Sequence, residues 1–174
     1  MAIGLVVAVL TLVFALESAW YANWYAIFRV VHVLVAVFWV GGGVLLTVLG
    51  LKAEVSDDPN EIALLARWAA WTGERLFAPA GGVVLLMGIA MMINTNWGWG
   101  KFWVVAGLIG YALTTAIGMA VLSPQAKRIA ELSETKGTTD PETQAAIRRI
   151  LVVARLDAAV LLLVVADMVT KPFS

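Results

Sequence analysis

The 174 residues are 61% hydrophobic and 14% charged, whereas a soluble domain has roughly 45–50% apolar and about 25% charged residues. Basic and acidic residues balance at 12 each, so no overall field attracts nucleic acid, and we expect no nucleic-acid partner. The absence of cysteine excludes disulfides, thiolate metal sites and cysteine nucleophiles. We therefore expect an all-α integral membrane bundle in contact with lipid, with no room for a second folded domain.

The N-terminal segment is the first predicted element. Residues 2–16 are uninterruptedly apolar and lead into SAWYANWY at 18–25, an aromatic cluster suited to a membrane interface. No Lys or Arg precedes the apolar run and no small-residue cleavage site follows it, which favours a retained helix over a signal peptide. We therefore divide the chain into an N-terminal transmembrane or interfacial helix, residues 1–24, and a four-helix membrane domain, residues 25–174.

Four further segments are apolar over about the 20 residues that a crossing needs. They are Tyr25–Leu51, Leu76–Ile93, Phe102–Leu122 and Ile150–Val169. Together with the N-terminal helix they give four core transmembrane helices plus one extra.

Two polar segments carry helix-start signals. SDDPNE at 56–61 predicts a short helix beginning near Pro59, which we expect to lie at the membrane interface. TTDPET at 138–143 predicts that Asp140 and Pro141 begin a helix that runs unbroken into the last crossing, about 30 residues or roughly 45 Å long. The polar stretch 131–140 is expected to be a mobile loop.

Basic residues predict the orientation. Segments 52–75 and 123–149 hold eight Lys and Arg residues, whereas the opposite side holds only Arg29, Lys101 and Lys171. The positive-inside rule then places the N-terminus inside and the C-terminus outside a bacterial cytoplasmic (inner) membrane. Five tryptophans on the outer side form a predicted aromatic belt: Trp20, Trp24, Trp97, Trp99 and Trp103.

The single histidine, His32, shares one helix face with Arg29 and Trp39. Polar groups at membrane depth nearly always face protein, and Asp167 is predicted to lie at the same depth. We therefore expect a shallow polar pocket near the outer face, built by Arg29, His32, Trp39 and Asp167. Glycines at 41–43 would let another helix or a flat ligand approach this first core helix closely.

Two interpretations of the pocket stay open. In one, His32 is an axial ligand of haem b, Arg29 pairs with a propionate, and the second position is methionine, open, or filled by a second copy. In the other, His32 hydrogen-bonds Asp167 or a backbone carbonyl while Arg29 extends to the interface.

Methionines suggest a second kind of site. Met87 and Met91 are four residues apart, and their thioethers with His32 could hold Cu(I). The alternative is that they fill gaps in the helical core.

A cluster of charges is expected at the inner end, where Arg155 and Asp157 point in different directions and each needs a partner. We interpret the group as structural ion pairs among Glu74, Arg75, Arg149, Arg155 and Asp157. We identify no catalytic residues, because no phosphate-binding loop, Ser-His-Asp set or paired-carboxylate site is evident.

Four motifs resemble the bacterial copper-resistance-D-like membrane family, in particular its uncharacterised single-domain branch. They are HVLVAVFWVGGG at 32–43, PAGGVVLLMGIAM at 79–91, GMAVLSPQAKRI at 118–129 and MVTKP at 168–172. The family is distantly similar to membrane porphyrinogen oxidases. The resemblance implies a four-helix core with a polar pocket around the first core helix, and relatives that handle copper or oxidise porphyrinogens with a bound haem.

Three function classes follow. We favour a non-catalytic accessory subunit of a larger membrane complex or homo-oligomer, because the pocket lacks a catalytic set and the N-terminal helix offers a packing surface. The alternatives are a haem-binding redox protein or porphyrinogen-oxidase-like enzyme, and a copper-handling transport protein.

Overall fold

The computed structural model describes residues 24–55 and 59–173, and all regular structure in these two ranges is helical. The predicted N-terminal crossing lies outside the described residues. The elements are α1 Trp24–Glu54, α2 Pro59–Thr72, the π-helical turn π1 Gly73–Phe77, α3 Ala78–Thr95, α4 Phe102–Ile117, the π-helical turn π2 Gly118–Leu122, α5 Ser123–Thr135 and α6 Pro141–Thr170.

Two of the columns of the bundle are long composite helices. α2, π1 and α3 form one unbroken helix over 59–95, and α4, π2 and α5 form another over 102–135. These helices are about 55 and 50 Å long, well beyond the roughly 30 Å of a hydrocarbon core. The bundle must therefore extend out of the membrane at one or both ends.

The short helix predicted after Pro59 exists as α2, and its placement at the membrane interface stays a prediction. α2 continues through π1 into α3 and packs along α5. The predicted loop over 131–140 is shortened, because α5 runs to Thr135. α5 is amphipathic: Ala126 and Ile129 are buried while Lys127 and Arg128 are exposed, so its polar residues form one helix face.

The helices form a four-column bundle. α1 packs most extensively on α3, α2 on α5 and α4 on α6, while α6 also contacts α1 and α5. An apolar cluster of Ala66, Ile129, Ile147 and Leu151 fills what we call the α2–α5 end. At the opposite α3–α4 end, Met92, Trp103 and Val104 form a second cluster. Trp103, which the sequence assigned to the aromatic belt, is therefore a core residue.

The last helix begins as the sequence predicts. The carboxylate of Asp140 accepts hydrogen bonds from the backbone N–H groups of Glu142 at 2.9 Å and Thr143 at 3.4 Å, and Pro141 occupies the first turn. These are the features of a capped helix start. α6 then runs for 30 residues without interruption, which confirms the predicted continuous helix.

The exterior suits lipid. Leu86, Ile93, Ile109 and Leu163 are each more than half exposed. Of the described helices, three are long and apolar enough to cross a membrane: Trp24–Glu54, Asn60–Thr95 and Phe102–Thr135. α6 is not among them, since Arg155, Asp157 and Asp167 interrupt its apolar sequence. The fourth crossing at Ile150–Val169 and the extra N-terminal helix thus stay predictions.

Candidate functional site

A cavity of about 420 Å³, partly open to the outside, lies between the helices and is bordered by all four columns. Its volume falls within the roughly 300–1,000 Å³ of small-molecule sites. The space exists because glycine and alanine recur where the columns face one another. The small lining residues are Gly43, Gly50, Ala53, Ala66, Ala69, Gly73, Ala78, Gly81, Gly118, Ala126, Ala154 and Ala158.

Both π-helical turns border the cavity, through Gly73 and Phe77 of π1 and through Gly118 and Leu122 of π2. In each turn a backbone N–H reaches five residues back: Ala78 to Gly73, and Ser123 to Gly118. Such turns insert one extra residue into a helix and occur frequently at functional sites. Here each of the two long helices has its π-helical turn in the wall of the same cavity.

One charged side chain lines this space without a partner. Asp157 on α6 is 8% exposed, and the described residues supply neither a hydrogen bond to its Oδ1 atom nor an ion pair. Thr115 Oγ1, also in the lining, is buried and likewise without a hydrogen-bond partner among the described residues. Buried polar groups are nearly always hydrogen-bonded. Among the described residues five buried side-chain atoms have no such partner, and Asp157 Oδ1 and Thr115 Oγ1 are the two that belong to cavity-lining residues.

An aromatic group borders another part of the cavity. The rings of Trp39 on α1 and Tyr111 on α4 meet edge to face with centroids 5.7 Å apart. The Tyr111 hydroxyl donates to the carbonyl oxygen of Gly81 at 3.1 Å, which ties α4 to α3. A Cβ at Gly81 would lie 3.6 Å from the Trp39 ring, an ordinary van der Waals distance, so the Trp39 ring lies close to this residue.

Two members of the charge cluster predicted from the sequence, Arg155 and Glu74, pair with residues outside it. Arg155 pairs with Glu54 of α1, and Lys127 pairs with Glu74 of π1. The single cluster predicted among Glu74, Arg75, Arg149, Arg155 and Asp157 is therefore wrong. Residues two apart on a helix point in very different directions, so Arg155 reaches an outer partner while Asp157 faces inward.

His32 lies outside the cavity lining, in the groove between α1 and α3. Its Nδ1 is 2.8 Å from the carbonyl oxygen of Val84, and since a carbonyl only accepts, Nδ1–H is the donor. Gly88 makes room for the ring, because a Cβ there would meet its Cε1 atom at 3.3 Å. The sequence suggests Asp167 or a backbone carbonyl as the hydrogen-bond partner of His32, and in the described structure the partner is the backbone carbonyl of Val84.

The other residues of the predicted outer pocket have separate surroundings. The Arg29 guanidinium lies 5.5 Å from the Tyr25 ring centroid. The Oδ2 atom of Asp167 is buried beside Gly107, with no hydrogen bond among the described residues. No salt bridge in the described chain joins Asp167 to Arg29 or His32. Their role in binding a cofactor stays a prediction, as does that of Trp39, which instead lines the cavity.

The methionine site also stays a prediction. Met87 and Met91 flank Gly88, the residue on which His32 packs, whereas the neighbouring Met92 is buried in the apolar cluster at the α3–α4 end. Within residues 24–55 and 59–173, no three His, Asp or Glu side chains gather as metal ligands.

Long helices, a lipid-suited exterior and a small-residue interior define a helical integral membrane protein. A family model described as "Predicted integral membrane protein (DUF2269)" matches residues 26–172, and the chain belongs to that family. No curated protein and no solved structure matches the sequence.

Proposed function

We propose that the protein is a non-catalytic membrane protein that holds a small, largely apolar molecule in its interior cavity. The observation that carries the proposal is the cavity of about 420 Å³ with the carboxylate of Asp157 in its wall. A mostly apolar space with few polar groups is the usual design of a small-molecule site. The unpartnered carboxylate of Asp157 and a few hydroxyl groups can orient a guest, and binding requires no further chemistry.

Filling the cavity tests this proposal. Ala154 lines the cavity on α6, whereas Ala159 on the same helix is exposed. Equilibrium dialysis of the detergent-solubilised protein with 4-phenylbutanol should show saturable binding to wild type and to Ala159→Phe, and strongly reduced binding to Ala154→Phe. Equal uptake by all three proteins would mean that the alcohol partitions into detergent only, and would contradict the proposal.

We further propose that the protein is an accessory subunit of a membrane assembly in a bacterial inner membrane. α1 supports this: its most apolar stretch has a mean hydropathy of 2.3, yet only 6% of that stretch is buried within the described structure. Lipid can cover such a face, and so can another chain. Native mass spectrometry of the detergent-extracted particle distinguishes coverage by lipid from coverage by another chain. A particle that contains one 18.7 kDa chain alone would contradict the accessory role, but it would not contradict the proposed binding in the cavity.

Haem binding is a second candidate, favoured by the geometry of His32. A ligating histidine usually donates its other ring N–H to a carbonyl or carboxylate, and the bond to Val84 has this form. Nε2 would then be the iron ligand, with Arg29 near a propionate. A Soret band in the purified protein that is lost in His32→Ala would support this function, and no band would contradict it.

Copper handling by His32, Met87 and Met91 rests on the spacing of the methionines and on the resemblance to the copper-resistance-D-like family and to membrane porphyrinogen oxidases. Copper that copurifies with wild type and falls in a Met87→Leu, Met91→Leu double variant would support it, because this exchange keeps volume and apolarity. Equal copper in both proteins would contradict it.

A further inference from the structure

We propose that the cavity selects organic ammonium ions, meaning protonated amines on an apolar body, with the Asp157 carboxylate as the counter-ion. This inference rests on the proposed function and names the chemical class of the guest. Three features carry it: the Oδ1 atom of Asp157 has no hydrogen-bond partner among the described residues, the neighbouring Arg155 is paired with Glu54, and helix packing places Asp157 about two helical turns from the aromatic group.

A carboxylate removed from water is costly unless it is paired and hydrogen-bonded. Asp157 is buried, and its Oδ1 atom receives no hydrogen bond from the described residues. No Lys or Arg is among the described lining residues of the cavity, and Arg155, two positions from Asp157 on α6, pairs with Glu54. The protein therefore provides a negative charge in the wall and leaves its compensation to a guest.

The chemistry of the wall favours one class of guest. An ammonium group carries only donors, which match the free acceptor on Asp157 and the hydroxyl oxygen of Thr115. A neutral apolar guest would leave Oδ1 without a hydrogen bond, and an anion would be repelled. The rest of the lining is dominated by aliphatic and aromatic side chains, so the remainder of the guest must be apolar.

Helix packing sets the length of the guest. Leu151 packs on Gly50 and Leu161 packs near Gly43, so α6 runs antiparallel to α1 and Asp157 lies level with Leu46 and Thr47. Trp39 is two helical turns further along α1, about 12 Å away along the axis. A guest with its ammonium group at Asp157 would then place an aromatic or alkyl end beside Trp39 and Tyr111.

The probes for the test are 4-phenylbutylamine and 4-phenylbutanol, which share an apolar body and differ in the head group. Binding of each probe is measured by equilibrium dialysis at pH 7 with wild type, Asp157→Asn and Asp167→Asn. Asp157→Asn keeps the shape of the side chain and removes the charge. Asp167→Asn is the matched control, because Asp167 is an aspartate of the same helix that lies outside the cavity lining.

We expect wild type and Asp167→Asn to bind the amine at least about tenfold more tightly than the alcohol, as a charge-assisted hydrogen bond provides. In Asp157→Asn the two probes should bind within about twofold of each other. If Asp157→Asn fails to fold, it will also lose alcohol binding. Thr115→Val then serves as the second variant, and it should weaken amine binding while alcohol binding is kept.

Two outcomes would overturn the inference. Equal binding of amine and alcohol to wild type would show that the cavity takes guests without charge selection, with the proposed function intact. Amine selectivity that persists in Asp157→Asn and in Thr115→Val would place the selecting group elsewhere. If wild type binds neither the amine nor the alcohol, by contrast, the proposed function itself is contradicted.

Discussion

His32 donates from Nδ1 to the carbonyl oxygen of Val84, 2.8 Å away, whereas the Oδ1 atom of Asp157 receives no hydrogen bond from the described residues. Both side chains carry the cost of a polar group within an apolar bundle. The histidine is compensated locally by the neighbouring helix. The aspartate is not, so the unsatisfied acceptor lies in the cavity and not in the groove between α1 and α3.

A stability measurement checks the structural role of His32. His32→Leu should lower the free energy of unfolding in detergent by about 1 kcal/mol, the net value of one hydrogen bond. His32→Gln, which keeps an N–H donor, should lose less. If the leucine variant is as stable as wild type, the bond to Val84 contributes nothing.

The sequence predicts some of these residues and misses others. The spacing of Arg29, His32 and Trp39 correctly indicates that His32 faces protein, because a polar group at this depth has few alternatives. It does not reveal that Trp39 and Asp157 border one cavity, since that depends on how α1 and α6 pair in three dimensions. The available signal was Asp157 itself, an acid between Leu156 and Ala158 whose neighbour Arg155 points elsewhere.

Within the elements, Gly42 permits a close contact between α1 and π1. A Cβ at this position would lie 2.7 Å from an atom of the rigid Phe77 ring, whereas a Cβ at Gly41 would meet nothing within 4 Å. The prediction that these glycines permit close approach is therefore confirmed at Gly42. No sequence signal beyond Gly73 marks π1, so the sequence predicts a short helix from Pro59 and a separate crossing from Leu76 where the structure has one continuous helix.

The two glycines form a matched pair for a stability test. Gly42→Ala should lower the free energy of unfolding by about 1–3 kcal/mol, because the ring must move. Gly41→Ala should be neutral or raise it by up to about 1 kcal/mol, because alanine favours the helix. Thermal unfolding in detergent measures both, and equal effects in the two variants would contradict the contact.

The connection between α5 and α6 carries a small ion cluster outside the apolar bundle. Glu142 accepts from Lys136 and from Arg128. The hydrogen bond and charge of Lys136, followed by those of Arg128, lower the pKa of Glu142 below its ordinary 4.5. The folded state therefore binds this proton less readily than the unfolded state, so the contribution to stability is present above pH 4.5 and is lost as pH falls through the lowered pKa.

Hydrogen exchange of the backbone amides of residues 136–140 should therefore become faster than the intrinsic pH dependence predicts once the pH falls below about 4.5. Glu142→Gln should show this faster exchange already at pH 7 and little further change on acidification. The effect is expected to be small, because exposed ion pairs contribute little. Identical profiles for wild type and Glu142→Gln would contradict it.

At the scale of the whole molecule, composition alone predicts a helical membrane bundle, and the described structure and the family confirm that class. The number of membrane crossings is harder to predict from composition. The described helices support three by length and composition, because α6 carries three charged residues in its apolar part. Those same charges do not prevent α6 from packing against α1, α4 and α5.

Orientation is open to a direct test, because the chain has no cysteine of its own. We expect Glu131→Cys, in α5, to react with a membrane-impermeant maleimide only after the cells are opened. Lys101→Cys, before α4, should react in intact cells. The proposed topology has the N-terminus inside. Labelling in the reverse pattern would contradict it and would not affect the account of the interior cavity.

The central claim is that the interior cavity holds a guest, and native mass spectrometry of the protein released gently from its own membrane tests it most directly. Wild type and the exposed-face variant Ala159→Phe should each retain an added mass that is absent from Ala154→Phe, in which the new ring fills the cavity. A wild-type chain with no added mass, or the same added mass in all three proteins, would contradict the account.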